Sequence, residues 1–367
     1  MVYSPTQFQK GLSLPAFLER YGTEGRCVHA LFTARWPEGF KCPECGGNEY
    51  CVLAARGLYQ CNACRRQTSV KAGTIFHKTY LPLTKWFLAM HLLTQGKHSM
   101  SALELKRQLG VSYETAWKVK HKLMQVMLER EKGRILSGRI EADDAYIGGE
   151  SHGGKRGRGA PGKAPMLAAV QTSPEEELAN CKVSYLKVQA VSDFRSRTIR
   201  RWAQGSLAGT ATVHTDGMSS FRAIREVAPD HQPYEMEGGW RNSRHPAFKW
   251  VNTILGNLKG NLVGVCRWIS AKHLPRYLAE FQWRFNRRFD LASILSRLLI
   301  SSAHTPPMPM KLLVLAEVGR KSGTQKSSWF VLRNRHFIYI PKKSITSPPT
   351  IICVITYLCL SIPKLPI

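Results

Sequence analysis

Two sets of side chains in this 367-residue sequence have the types and spacing to hold metal ions. Cys42-Pro-Glu-Cys45 and Cys61-Asn-Ala-Cys64 are two CxxC turns with 15 residues between them. Each turn lets two thiolates converge, so the pair can supply the four tetrahedral ligands of a closed structural Zn²⁺ site. Reduced, buried thiols are the plainer alternative. The second set is acidic. In the run Ile140-Glu-Ala-Asp-Asp-Ala-Tyr-Ile147, strand alternation puts Glu141 and Asp143 on one face and Asp144 on the other. Val213-His-Thr-Asp-Gly217 ends a second strand with Asp216 at its exit. Carboxylates at neighbouring strand ends can share Mg²⁺ or Mn²⁺, hard ions that take oxygen ligands and phosphate. Two such ions about 4 Å apart would serve phosphoryl transfer. Either aspartate alone would serve equally well as a cap or turn residue.

The elements that must position these groups fall into four segments. Residues 1–80 hold the CxxC pair, a zinc ribbon over about 40–68, with Cys27 and Cys51 outside the spacing and read as core thiols. Residues 81–135 are helical in period: Trp86, Ala89, Met90 and Leu93 share a stripe, and Leu105 with Leu109 and Val119 with Leu123 repeat at i, i+4. Within them, Leu109-Gly110-Val111 reads as a turn and Ser112 as the N-cap of a second helix, which is helix-turn-helix grammar. That second helix carries Thr115, Lys118, Lys120 and Lys122, able to meet a groove or phosphates, although an ordinary helical pair with a solvated basic face has the same pattern. Residues 136–315 alternate strands, expected at 138–147, 166–172, 183–192 and 210–215, with helices at 195–204, 247–260 and 271–286. This is an α/β class, a mixed sheet flanked by helices. Between the first two strands, SHGGKRGRGAPGKAP is a basic, glycine-rich loop bearing Lys155, Arg156 and Arg158. Residues 316–367 show no periodicity that builds a domain.

The balance of 53 Lys+Arg against 25 Asp+Glu leaves a net charge of +28. An excess that large repels itself unless a polyanion is at hand, so nucleic acid is the expected partner and a small acidic-metabolite enzyme is disfavoured. With 43% hydrophobic and 10% aromatic residues, wholesale disorder is excluded. The first residues lack the basic start and apolar run of a secretory signal, and the longest apolar stretch, 350–362, is shorter than a membrane span. A cytoplasmic, nucleoid-associated protein with no membrane partner is expected, where ten cysteines favour metal ligation over disulfides.

Taken in order, RWPEGFKCPECGG, CNACRRQTSVKAGTIFHKT, IEADDAYIGG, the KRGRGAPGK loop, VHTDGMSSF, KWVNTILGNLKG and RYLAEFQWRFNRR resemble the bacterial zinc-ribbon insertion-sequence transposases. The family is IS fifteen-ninety-five, in its ISXO-like branch, and the resemblance covers about residues 10–315. It implies an RNase H-like catalytic domain preceded by a zinc ribbon and a helix-turn-helix. It also implies a DDE-type triad in a variant ending in Asn followed by Lys: Asp143, Asp216 and Asn252, with Lys259 as the attendant cation. The spacing is compatible, because Asn252 and Lys259 are seven apart and share a helix face, although Asn252 could also cap its helix beside Trp250. An amide adds no negative charge, so such a site should hold its metal more weakly than three carboxylates.

The resulting expectation is a transposase of its own insertion element. It would bind terminal inverted repeats and target DNA through the ribbon (Arg65, Arg66) and the helix-turn-helix, as a homo-oligomer, and cut 3′ ends before strand transfer. A non-catalytic or decayed DNA-binding regulator and an RNase H-like nuclease or resolvase are the alternatives. His214 and His245 are possible helpers. Tyr277, Phe281, Trp283 and Phe285 are read as the packed face of a helix, with Arg284, Arg287 and Arg288 offered to phosphate.

Overall fold

The computed structural model describes residues 8–148, 163–173, 182–234, 246–266 and 269–315. Lys155, Arg156, Arg158, His245 and the segment 316–367 lie outside the described residues.

The chain begins with two helices that its sequence pattern did not announce, α1 (Leu14–Tyr21) and α2 (Glu24–Arg35). Each starts on a hydroxyl cap: Ser13 accepts from Ala16 N and Thr23 from Arg26 N. A three-stranded antiparallel ribbon follows, β1 (Tyr50–Leu53), β2 (Leu58–Cys61) and β3 (Gln67–Thr68). Phe32 and Trp36 from α2 and its end meet Tyr59 of β2 at ring-centroid distances of 5.2 and 5.9 Å, which seats the ribbon on the helices. Then come α3 (Leu83–Gln95), α4 (Ala102–Leu109) and α5 (Tyr113–Lys132). The expected turn between α4 and α5 is present: Gly110 has φ +60°, a left-handed conformation that costs glycine little. Ser101 and Ser112 cap the two helices through Glu104 N and Thr115 N.

The second half is a five-stranded sheet ordered β6-β5-β4-β7-β8, built from β4 (Arg139–Ile147), β5 (Ala164–Thr172), β6 (Val183–Ala190), β7 (Thr212–Asp216) and β8 (His231–Tyr234). β4, β5 and β6 form an antiparallel meander, while β7 and β8 run parallel to β4. Helix α6 (Ser196–Gln204) makes the crossover into β7. β5 shows why helices are needed on both faces. Its Met166, Ala168 and Val170 enter one core with α7 (Lys249–Val265) and α8 (Leu274–Asn286), and its Leu167 and Ala169 enter another with α6. A strand buried on both sides reads as a continuous apolar run. This mixed sheet between helical layers is an RNase H-like domain.

α9 (Ile294–His304) and the short α10 (Met310–Leu315) end the described chain. The core that holds α1 to α5 also contains Ala279 and Trp283 of α8 and Ile294, Leu295, Leu298 and Leu299 of α9. The N-terminal helices are thus closed by elements from after the sheet. α8 lies between two cores, since its Leu274, Leu278 and Phe281 face the sheet. The C-terminal end of α5 is fixed to the sheet by Lys187 of β6, whose ammonium donates to the carbonyls of Glu131, Lys132 and Arg134 at 3.1, 2.8 and 2.9 Å. Carbonyls at a helix end lack intrahelical donors, and a buried cation satisfies both them and the helix dipole.

Candidate active site

The four ribbon cysteines come together as the spacing predicts. Their sulfurs lie within 4.8 Å of one another, with Cys42 to Cys64 and Cys45 to Cys61 each at 3.6 Å. Four sulfurs at 2.3 Å from a tetrahedral zinc are about 3.8 Å apart, so the donor set fits Zn²⁺. The turns are matched: Gly46 N donates to Cys42 O and Arg65 N to Cys61 O, both at 3.0 Å. The N–H of Cys45 helps pull the Cys42 thiol down to about 6 and that of Cys64 lowers Cys61, while the Cys64 thiol, helped by the Arg66 N–H but crowded by the other three sulfurs, is pushed up to about 12. Gly46 and Arg65 hold equivalent left-handed positions, φ +76° and +58°. Cys27 is buried as expected, with burial pushing its thiol up to about 12, whereas Cys51 is exposed on β1 and is no core thiol.

The acidic site forms where β4 and β7 part. The two strands pair at Arg139–Thr212, Ile140–Val213 and Glu141–His214, a constant offset of 73 that, carried two residues further, makes Asp143 level with Asp216. Crevices outside the carboxyl ends of parallel strands are the usual ligand sites of such sheets. Carboxylate oxygens of Asp143, Asp144 and Asp216 lie within 4.8 Å of one another. Asp144 therefore joins the group, against the expectation that alternation would remove it to the other face. The Asp143 carboxylate leans forward along the strand and accepts the Asp144 N–H at 2.8 Å. Asp216 accepts the N–H of Met218 at 3.3 Å, so the turn after β7 holds its carboxylate.

Burial first, then the charges of Asp144 and Asp216, push the Asp143 carboxyl up to about 7, and the cation of Lys259 opposes them. Three crowded carboxylates with one raised in this way are what a divalent cation would relieve, and the oxygen donor set fits Mg²⁺ or Mn²⁺.

Asn252 and Lys259 both lie on α7, which packs against β4 on the face that carries Asp143. Asn252 is half-buried in the first turn and Lys259 is exposed. What brings α7 here is Glu141. Phe248 gives the helix no side-chain cap, and Glu141 Oε2 instead accepts from Trp250 N at 2.8 Å and Val251 N at 2.9 Å. Its other oxygen takes Arg139 Nη1 at 3.0 Å, and the carboxylate is fully buried. A remote anion thus caps the positive end of the helix. Sequence reasoning placed Glu141 beside Asp143 and gave it no task. The clue was an acid inside a strand, on the site face, in a chain poor in acids. His214 is buried on the same face, with its Nδ1 3.1 Å from the Tyr234 hydroxyl.

The basic residues divide sharply. Thr115 belongs to the cap of α5, its hydroxyl accepting from Ser112 at 2.9 Å. Lys118 is half-exposed and pairs with Glu114 at 2.6 Å. Lys120 is 1% exposed and pairs internally with Glu280 at 3.7 Å, so it does not face a groove. Lys122 also turns inward: it donates to Ile75 O at 3.3 Å and lies over the Trp86 ring. Arg284 is buried against Glu280, Arg287 pairs with Glu131, and Arg288 donates to the carbonyls of Val183 and Ser184. These three arginines bind the protein to itself. Arg65 and Arg66 are exposed beside the second knuckle.

Among the described residues no helix is long and apolar enough to cross a membrane. The family model described as ISXO2-like transposase domain matches residues 135–286, and that described as Transposase zinc-ribbon domain matches residues 22–67. An uncharacterized protein in transposable element ISH50 of Halobacterium salinarum is 24% identical over 277 residues, spanning 73% of this chain and 92% of that protein. The crystal structure of the Mos1 strand transfer complex is 12% identical with a TM-score of 0.23, covering 60% of this chain and 78% of that one. Two matched modules in the expected order, together with a carboxylate cluster on an RNase H-like sheet, make this chain a member of the zinc-ribbon, ISXO2-like transposase family.

Proposed function

We propose that this transposase binds the terminal inverted repeats of an insertion element and cuts DNA at each 3′ end. The freed 3′-hydroxyl is then joined to target DNA. The observation that carries the reading is the meeting of Asp143, Asp144 and Asp216 in the crevice between β4 and β7, in a chain of net charge +28.

Asp143 and Asp216, with Asn252 through its amide oxygen, would hold Mg²⁺ or Mn²⁺. When bound, the ion would supply Lewis-acid activation of the attacking oxygen and neutralise charge on the phosphodiester. Glu141 fixes the start of α7, so Asn252 is presented to the crevice on a braced helix. Lys259, two turns on, offers a cation to a DNA end. In the first reaction water displaces the 3′-oxygen from phosphorus, and that oxygen leaves as a hydroxyl. In the second the same 3′-hydroxyl displaces an oxygen of the target strand. Neither needs a covalent bond to protein, so the chain contributes positioning and charge.

Zn²⁺ would be structural. The ribbon presents Arg65 and Arg66, and α5 presents Thr115 and Lys118, to phosphates. Arg65 occupies the left-handed position that glycine fills in the twin turn, and strain kept at one of two equivalent places suits a residue retained for contact. Lys155, Arg156 and Arg158 would extend the basic surface, and the active assembly would be a homo-oligomer.

The test is purified protein with labelled element ends and Mg²⁺ or Mn²⁺, read on sequencing gels. Nicks at 3′ ends and joined strands are expected, lost in Asp143→Asn and Asp216→Asn. Repeat binding without metal-dependent cleavage would instead assign a regulator, and cutting by DNA structure regardless of end sequence would assign a resolvase-type nuclease.

A further inference from the structure

An open cleft of 620 Å³ lies between the C-terminal part of α5, the end of α8, and α9. Its wall carries Arg130, Arg134, Arg287, Arg297 and His304 against one lining carboxylate, Glu129, and Glu129 already accepts the Gln125 amide at 3.0 Å. Behind the wall, Glu131 braces Arg287 at 2.5 Å and Arg134 at 3.2 Å. The Arg287 guanidinium also lies over the Trp283 ring, 3.3 Å from its centroid. Arg297 is exposed and shares Asp290 at 3.2 Å. Arg130 is exposed and has no acidic partner among the described residues. Trp283 is fully buried in this wall, and its indole N–H has no acceptor among the described residues.

Guanidinium forks held by packing match phosphate oxygens in pairs. The exposed arginines at the mouth, Arg130 without an acidic partner among the described residues, call for an anion. A second copy of this chain is a poor occupant, because it brings 53 bases and only 25 acids. We propose that the cleft docks the phosphodiester backbone of duplex DNA. None of its residues belongs to the ribbon, to the first turns of α5 or to the carboxylate crevice. The inference rests on the chain's working on DNA and adds a second place where it grips the duplex.

The test uses full-length, zinc-loaded protein carrying the photoreactive residue of an Ile300→p-benzoylphenylalanine substitution, since Ile300 is half-exposed in the cleft wall. Illumination with element-end duplex should give a protein–DNA adduct. Arg130→Glu combined with Arg297→Ala should abolish it. In the otherwise unmodified chain the same pair should flatten the dependence of log affinity on log salt by about 2, at about 0.9 per lost phosphate contact, with zinc content unchanged. Arg130→Lys should restore the adduct in part. Absence of an adduct, or an adduct and salt slope indifferent to both arginines, would overturn the proposal. So would occupation by inorganic phosphate alone while duplex leaves the cleft untouched. An arginine-dependent adduct in protein that never nicks DNA would keep the cleft and remove the catalytic reading; normal nicking with no adduct would do the reverse.

Discussion

The carboxylate of Glu141 accepts the backbone N–H of Val251 at 2.9 Å, across 110 residues of chain. One strand therefore sets both the Asp143 carboxylate and the position of the helix that faces it. Glu141→Ala leaves two amide hydrogens without their acceptor and takes the carboxylate away from the buried Arg139, which keeps its bond to Thr172 Oγ1, at a cost on the order of 3 kcal/mol. Amide exchange at Trp250 and Val251 should accelerate and metal-dependent nicking should fall, while zinc content and repeat binding persist. Unchanged exchange at those two amides would detach Glu141 from the helix.

Asp144 stands in the carboxylate cluster although strand alternation had directed it away. Asp144→Asn should weaken Mn²⁺ binding by roughly tenfold, read by electron paramagnetic resonance, with folding intact, as outer ligand-supporting groups commonly do. Wild-type Mn²⁺ affinity in this variant would return the aspartate to a structural part.

Lysines on α5 should separate by function. Lys118→Ala should reduce the salt dependence of DNA binding by about 1 and barely alter stability. Lys120→Ala strips a partner from the buried Glu280 and should cost on the order of 3 kcal/mol by denaturant titration while leaving the salt slope alone. The opposite assignment of the two effects would invert the orientation of α5.

Zinc analysis should find about one ion per chain, and Cys61→Ser should lose it. Chelation should open residues 42–64 to protease ahead of the sheet, because metal binding is itself folding energy for such ribbons. Equal protection with and without chelator would mean that thiol packing alone holds the ribbon.

Acid should weaken the sheet through His231. Burial chiefly, then Arg225 and His214, lower its pKa from 6.5 to about 4. The folded state thus refuses a proton that the unfolded chain accepts. The stability from the neutral ring is complete above about pH 6.5 and is lost as pH falls toward 4, on the order of 1 kcal/mol by pH 5.5. His231→Asn should flatten that part of the stability–pH curve measured by denaturant melts at fixed pH values.

Much of this arrangement is legible in the residues. Regular alternation and CxxC spacing locate β4 to β7 and the cysteine cluster because both depend on local geometry. β8 escapes notice because its four residues include Pro233, which a strand tolerates only at an edge, where β8 lies. α9 and the first two helices escape because their partners are distant: α2 and α9 meet in one core across the whole sheet domain. The inward lysines and arginines were misjudged for the same reason. Charge is visible in sequence, but the acids that neutralise it, Glu131 and Glu280, are identified only by folding. Among site residues, Glu141 was seen and not understood, since its partners are backbone amides that no sequence pattern displays.

Lys187 ties the last carbonyls of α5 to the edge strand β6 of the sheet, and a 20-residue helix is about 30 Å long. The helix is consequently a strut with one end welded, unable to swivel on its own. If a duplex is gripped at the opposite end, as proposed, the stretch from the bases touched there to the bond lying in the crevice would be a fixed measure. Element termini would have to keep that interval constant while their remaining bases drift.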